Sequence, residues 1–161
     1  LLPDGIRQEL PNLTRLFGIP DDTSPAPVAS AADTLKLIGR RHVRSNNSWM
    51  HNAPRLVKGK PRHQLLMHPD DLARHGLADG ARVRVSSAVG TIETDAVASD
   101  ELMPGVACLP HGFGHDRPGI RLARAEAVAG ASYNDLTDPT ALDGPSGNAA
   151  LNGLAVTVAP A

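Results

Sequence analysis

The sequence has few aromatic residues and a single cysteine. Aromatic side chains make up 2% of its 161 residues, so the core must be built from Leu, Val, Ile, Ala and Met. One thiol, Cys108, cannot form a disulfide, a thiolate zinc site or an iron–sulfur cluster within this chain. It lies in an apolar run and is predicted to be a small buried residue. A lone cysteine fits a reducing compartment, and we expect a cytoplasmic protein.

Long apolar runs are also missing, which predicts no membrane-spanning segment in this chain. The first residues are mixed and acidic, unlike a signal peptide. Because the sequence begins with Leu1 and not Met, we expect it to be a fragment of a longer protein.

Acidic residues are absent from Thr34 to Pro69, although the chain contains 17 of them. The same window contains eight of the 16 basic residues: Lys36, Arg40, Arg41, Arg44, Arg55, Lys58, Lys60 and Arg62. The net charge is -1, so the whole protein is not built to bind nucleic acid. Positive charge gathered in one segment predicts an anion-binding region there.

The chain divides into an N-terminal strap and one compact domain. Residues 4–17 can form a short amphipathic helix, and residues 18–33 are rich in Pro, Ser and Ala, as in a linker. We therefore assign 1–33 to the strap and 34–161 to the domain. Glycine and proline number 15 and 14, which favours many turns and short elements.

Six short strands and one clear helix are predicted in the domain. The helix begins near Pro69 and ends at Gly76, with Leu72 facing the core, and 123–131 is predicted to be loosely helical. In the fourth strand, Ile92 and Val97 are expected to anchor the core, with an irregularity between them. Strands this short favour a small closed barrel. The predicted strands are 35–39, 65–68, 81–87, 91–98, 106–109 and 153–158.

The polar loop after the first strand is the main candidate site. Gly39 allows the backbone to approach a ligand, and the arginines that follow can clamp phosphate oxygens. Asn46 and Asn47 can donate and accept hydrogen bonds, as reading the edge of a pterin or purine requires. A solvated basic loop is the alternative interpretation, but the exclusion of acids favours a binding role.

Other polar residues are ambiguous when taken singly. His111 and His115 are four apart in HGFGH, but two glycines disfavour a helix and no Glu completes a zinc pattern. Asn134 and Asn152 are typical of turns or caps, and Trp49 is interpreted as a local packing anchor. No nucleophile–base arrangement is recognisable, so we predict no catalytic residue and no metal ligand.

In combination, several motifs resemble a known family. A strand ending in Gly-Arg is followed by LMHPDDLARHGLADGARVRVSS, GTIET, MPGVACLPHGFGH and YNDLTDP. This order is similar to the C-terminal molybdopterin-dinucleotide-binding domain of the molybdopterin oxidoreductases, which include formate dehydrogenases, nitrate reductases and dimethyl sulfoxide reductases. The resemblance extends from about Leu35 to Val158.

The resemblance implies a mainly β (α+β) fold, a six-stranded double-psi β-barrel with small added helices. It also implies that the chain binds molybdopterin guanine dinucleotide, as the bis-MGD form with molybdenum or tungsten. The metal ligand and any iron–sulfur cluster would come from the remaining domains of the parent oxidoreductase, so the isolated chain is predicted to be inactive. The implied cofactor-binding residues are Gly39, Arg40, Arg41, His42, Arg44, Ser45, Asn46, Asn47, His111, Gly112, Asn134 and Asn152.

Two alternatives use the same barrel. One is a binding module for a protein or nucleic acid, like the double-psi barrel of some AAA ATPases, acting through the basic loop. The other is a pyruvoyl-dependent decarboxylase. Those enzymes cleave themselves at a Gly-Ser bond, and this sequence contains no Gly-Ser dipeptide.

Overall fold

The computed structural model describes Gln8, residues 33–143 and residues 146–161. Apart from Gln8 and Asp33, the predicted strap and its helix lie outside the described residues. No described helix is long and apolar enough to cross a membrane.

Six strands close into a barrel in the order β1-β5-β2-β4-β3-β6. Strand β1 runs parallel to β5, and β2 runs parallel to β4, while the other four pairings are antiparallel. The predicted double-psi β-barrel is confirmed. The strands are β1 (Leu35–Arg40), β2 (Gln64–Met67), β3 (Arg82–Ser86), β4 (Thr91–Ala98), β5 (Val106–Pro110) and β6 (Leu154–Pro160).

The described helices are short. They are α1 (Pro54–Val57), α2 (Pro69–Arg74), α3 (Ala123–Glu126) and the 3₁₀ helix Tyr133–Leu136. Helix α2 begins at Pro69, as predicted. The structure adds a cap, because the Asp70 N–H donates to His68 Nδ1 over 3.1 Å. Leu72 is buried as predicted, whereas the helix predicted over 123–131 is confined to its first four residues.

The barrel interior is filled by alternate residues of the strands. Val83 and Val85 are fully buried, as the alternation of β3 predicts, and Leu35 and Leu37 are fully buried in β1. Cys108 is buried and carries a free thiol. Aliphatic side chains therefore build most of the core.

Strand β4 differs from the prediction in one respect. Its inward side chains are Ile92, Thr94 and Ala96, in unbroken alternation, so the predicted irregularity before Val97 was wrong. The Thr94 hydroxyl is buried within hydrogen-bond distance (3.2 Å) of His63 Nδ1. The partnership with His63 lets a polar residue occupy a core position.

Candidate functional site

A cleft of about 380 Å³ lies where several loops meet at one rim of the barrel. Its lining comes from the segment after β1, the segment after β5, the 3₁₀ helix and Leu151, which precedes β6. The lining residues are Arg41, Asn47, Ser48, His111, Gly112, Phe113, His115, Ser132, Tyr133, Asn134 and Leu151.

The barrel topology places these loops together. Because β1 and β5 are parallel and Arg40 is in register with Pro110, the loops that follow them leave the barrel at the same rim. The His111 N–H donates to the Arg40 carbonyl over 3.1 Å. The Gly39 N–H donates to Asn152 Oδ1 over 2.8 Å, which ties the start of β6 to the same rim.

The two main loops press closely against each other. Asn46 and Asn47 adopt left-handed backbone conformations, with φ of 41° and 61°. Gly112 has φ of 89°, and a Cβ added there would lie 2.3 Å from the Asn47 carbonyl oxygen. Gly112 is therefore required both by its backbone conformation and by this contact.

Main-chain N–H groups in these loops are unused. Among the described residues, the N–H groups of Asn47, Ser48, Gly112 and Phe113 have no hydrogen-bond acceptor. No carboxylate of the described chain lines the cleft. A concave surface with free N–H donors and no acid is suited to an anion.

Neighbouring arginines have different surroundings. The Arg40 guanidinium donates to the carbonyls of Cys108, Gln64 and Arg62 over 2.8, 2.9 and 3.2 Å. Arg41 is exposed, lines the cleft and donates to Asn47 Oδ1. Its charge therefore faces the cleft, while Arg40 joins strands.

His111 and Tyr133 form one wall of the cleft. Their rings pack with centroids 4.0 Å apart, and the Tyr133 hydroxyl donates to the Leu151 carbonyl over 2.5 Å. Burial, and secondarily Arg41, lowers the pKa of His111. Burial raises the pKa of Tyr133 to about 12. Both rings are therefore neutral near pH 7, and Gly39 makes room for His111 because an added Cβ would lie 2.0 Å from its Nε2.

The structure separates the sequence-predicted residues into three groups. Arg41, Asn47, His111, Gly112 and Asn134 line the cleft. Gly39, Arg40 and Asn152 support its rim through backbone hydrogen bonds. The remaining predicted residues lie outside the lining: His42, Arg44, Ser45 and Asn46.

The residues outside the lining have local contacts instead. Ser45 is buried, and its hydroxyl donates to the His42 carbonyl over 2.9 Å, which closes a turn. The pKa of His42 is lowered, first by burial and then by Arg62. Arg44 lies beside α1 in a separate hollow.

Sequence reasoning missed several lining residues and misinterpreted Trp49. The Trp49 side chain is 81% exposed, so its interpretation as a packing anchor was wrong. Phe113 and His115 lie in the HGFGH motif, whose glycines signalled close approach, but Ser48 and Ser132 carried no distinguishing pattern. His111 and His115 have different neighbours. His111 packs on Tyr133, whereas His115 contacts His51.

Most of the domain matches a known protein family. The family described as "Molydopterin dinucleotide binding domain" matches residues 35–155. The chain belongs to this family. The match covers all of β1 to β5 and the segments that form the cleft.

Relatives of this molybdopterin dinucleotide binding domain are much longer proteins. A tetrathionate reductase chain of Salmonella typhimurium (strain LT2) is 34% identical over 118 residues, which cover 63% of this chain and 12% of that protein. The molybdopterin-containing chain of the arsenate respiratory reductase of Chrysiogenes arsenatis is 29% identical over 129 residues, covering 77% and 15%. The chain therefore spans only a small part of these relatives.

A solved structure supports the fold of the domain. Acetylene hydratase from Pelobacter acetylenicus superposes with a TM-score of 0.66 at 20% identity, over 79% of this chain and 18% of that one. At this identity, the likeness establishes the barrel architecture alone.

The cleft fits the group that the family binds. A molybdopterin dinucleotide carries a pyrophosphate and heterocycles, which need anion-binding donors and amide groups that can read ring edges. The free N–H groups, the Arg41 guanidinium and the Asn134 side chain supply these in one acid-free cleft.

Proposed function

We propose that this chain holds a molybdopterin guanine dinucleotide within a larger molybdenum- or tungsten-dependent oxidoreductase. The family match supports binding of a molybdopterin dinucleotide, and the much longer reductase relatives support a larger parent enzyme. The remaining domains of that enzyme are the expected partners. We propose further that the cofactor is bound in the bis-MGD form and carries molybdenum or tungsten.

One observation carries the proposal. Loops from distant parts of the sequence converge on a single cleft. Its described lining includes an arginine and residues whose main-chain N–H groups have no acceptor, but no carboxylate. Such a cleft favours an anionic ligand over a cation or an apolar molecule.

Each lining group has a role in this proposal. The N–H groups of Gly112 and Phe113 and the guanidinium of Arg41 bind pyrophosphate oxygens. The side chains of Asn47 and Asn134 orient the heterocycles, since amides both donate and accept. When bound, the cofactor supplies the metal that carries out the redox chemistry, and the chain's residues bind and orient it.

The experiment uses diguanosine pyrophosphate, in which a pyrophosphate diester joins two guanosines. We expect the 161-residue chain to bind this probe in isothermal titration calorimetry. Arg41→Gln should weaken binding roughly 10- to 100-fold, because a charge-assisted hydrogen bond contributes about 1.5–3 kcal/mol. Arg55→Gln is the matched control, because Arg55 lies in the same acid-free window but outside the cleft.

Two results contradict the proposal. Equal losses in Arg41→Gln and Arg55→Gln would mean that the cleft is not the binding site. Salt-dependent binding of an oligonucleotide that exceeds binding of the probe would favour the nucleic-acid module.

A further inference from the structure

A pair of histidines connects the two loops of the cleft. His51 belongs to the loop after β1 and His115 to the loop after β5. His51 Nδ1 and His115 Nε2 are 2.7 Å apart, and the rings meet edge to face with centroids separated by 4.9 Å. His51 is 2% exposed and packs against Phe113 at a centroid distance of 4.4 Å. The pair is therefore a fixed contact between the two loops, and of its two members His115 lines the cleft.

The geometry limits how many protons the pair can hold. Two ring nitrogens at hydrogen-bond distance have a single proton between them, whichever ring carries it. The neutral pair has one further proton, on one of the two outer nitrogens. Adding one proton fills both outer nitrogens and preserves the contact, whereas a second added proton would place two N–H groups face to face. The pair can therefore accept one positive charge without separating.

The added charge would be presented to the cleft. His115 lines the cleft, and its Nδ1 makes no hydrogen bond with the described residues, whereas its Nε2 contacts His51. In the singly charged pair Nδ1 carries a proton whichever ring held it before, so His115 is then a donor in every case. His51 Nε2, in contrast, is buried without a partner among the described residues, so it cannot serve the ligand directly.

The surroundings of His51 favour its neutral form. Burial lowers the pKa of His51, and His115 and Arg62 lower it further, while a backbone contact with Gly112 opposes them. The described cleft lining offers no carboxylate to balance a positive charge. A bound anion would supply the missing counter-charge.

We propose that the His51–His115 pair takes up one proton from solvent when a pyrophosphate group binds in the cleft, and that His115 then donates from Nδ1 to a phosphate oxygen. This inference rests on the proposed function. His115 is a ligand-binding residue in this scheme, and His51 is a positioning residue that shares the charge and fixes the ring of His115.

Other titratable and charged groups surround the pair. His111 lies in the same cleft beside Arg41, which makes it the main competing site for proton uptake. Asp116 follows His115 in the sequence but does not line the cleft, and Arg117 is paired with Asp135. Tyr133 remains a neutral phenol because burial raises its pKa to about 12.

Calorimetry of diguanosine pyrophosphate binding in buffers of different ionisation enthalpy counts the protons taken up. The phosphates of this probe are diesters and do not titrate near neutral pH, so uptake reports the protein. We expect uptake approaching one proton near neutral pH. Reciprocal linkage then requires the affinity to rise by up to about tenfold for each pH unit that is lowered.

Variants identify the residues that take up the proton when the probe binds. His115→Asn should abolish uptake and weaken binding, and His51→Asn should reduce uptake, while His75→Asn, outside the cleft, should behave as the wild-type chain. Uptake that persists in His115→Asn and disappears in His111→Asn would overturn the proposal.

A measurement on the wild-type chain avoids the risk that a variant fails to fold. Side-chain nitrogen NMR should show His51 and His115 shifting toward the imidazolium form as the probe is added, with His111 unchanged. Tight binding without proton uptake or nitrogen shifts would overturn this inference and leave the proposed function standing. No binding at any pH would overturn both.

Discussion

Arg40 and Arg41 are adjacent in the sequence but act on different parts of the molecule. Successive residues of an extended chain point in opposite directions, so one guanidinium lies against the barrel and the next faces the cleft. Arg40 donates to carbonyls from β5, from β2 and from the segment before β2. It therefore holds strands together at the rim where the ligand-binding loops begin.

Replacing Arg40 should affect stability more than binding. Arg40→Gln removes three charge-assisted hydrogen bonds to carbonyls, and we expect the free energy of unfolding to fall by about 1.5–3 kcal/mol. Arg41→Gln, at an exposed position, should change it by less than about 0.5 kcal/mol. Urea denaturation of both variants measures the difference, and equal stability losses would contradict the assignment.

His63 should make the fold sensitive to acid. Its Nδ1 contacts the Thr94 hydroxyl, and its Nε2 lies within hydrogen-bond distance of the Ala131 carbonyl and amide. Burial lowers its pKa to about 4. The unfolded chain therefore binds a proton below about pH 6.5 while the native chain does not, so stability falls as the pH is lowered toward 4.

We expect this effect to remove about 1–3 kcal/mol between pH 6.5 and 4.5, after allowing for partial exposure. Denaturant titrations at several pH values measure it. His63→Gln should be less stable at pH 7 but show a shallower dependence below pH 6.5. If the free energy of unfolding depends on pH equally in His63→Gln and in the wild-type chain, His63 is excluded as the source of the acid sensitivity.

At the scale of elements, the contact between two loops shapes the cleft. Gly112 combines a φ of 89° with a position against the Asn47 carbonyl, so the loop after β5 lies directly on the loop after β1. Both loops contribute lining residues whose N–H groups have no acceptor among the described residues. Their separation would disperse those donors even if the barrel remained folded.

Gly112→Ala should disturb the cleft more than a matched change elsewhere. Gly119 has a similar φ of 93°, but an added Cβ would meet nothing within 4 Å. Gly119→Ala should therefore cost only about 1 kcal/mol of backbone strain. Gly112→Ala should cost more and weaken binding of diguanosine pyrophosphate at least tenfold, because the loops must separate. Thermal denaturation and calorimetry compare the two variants, and equal effects would show that the loop contact is unimportant.

Local sequence signals were sufficient for some elements and insufficient for others. Helix α2 was predictable because proline, acidic and glycine signals coincide, and β3 because its valines alternate. Strand β4 was misread because Thr94 is polar, and its inward position depends on His63, which lies 31 residues away. Helix α1 was missed because it spans four residues with no buried side chain.

In the candidate site, too, some residues were predictable from the sequence and others were not. Arg41, Asn47 and His111 were identified because charge, turn residues and the family resemblance pointed to their loops. The support given by Arg40 to neighbouring strands was not foreseen, since composition does not reveal which carbonyls a guanidinium reaches. Likewise, His51 and His115 are 64 residues apart, and only the parallel pairing of β1 and β5 brings them together.

At the scale of the whole molecule, the chain spans 12 to 15% of two of its relatives. No group of three or more metal-ligating side chains occurs among the described residues. Because the chain spans so small a part of these relatives, we expect the purified 161-residue chain to show no substrate oxidation or reduction in a dye-coupled redox assay. Turnover by this chain alone would contradict the division of labour between cofactor holding and chemistry.

The closing position of β6 has a consequence for biosynthesis. This strand pairs with both β1 and β3. Leu151 and Asn152, which reach the cleft and its rim, are separated from it only by Gly153. A ribosome must therefore release nearly the whole barrel sequence from its exit tunnel before the ring of strands can close. The cleft is complete only at that stage, so loading of the cofactor into this domain must follow translation of the barrel.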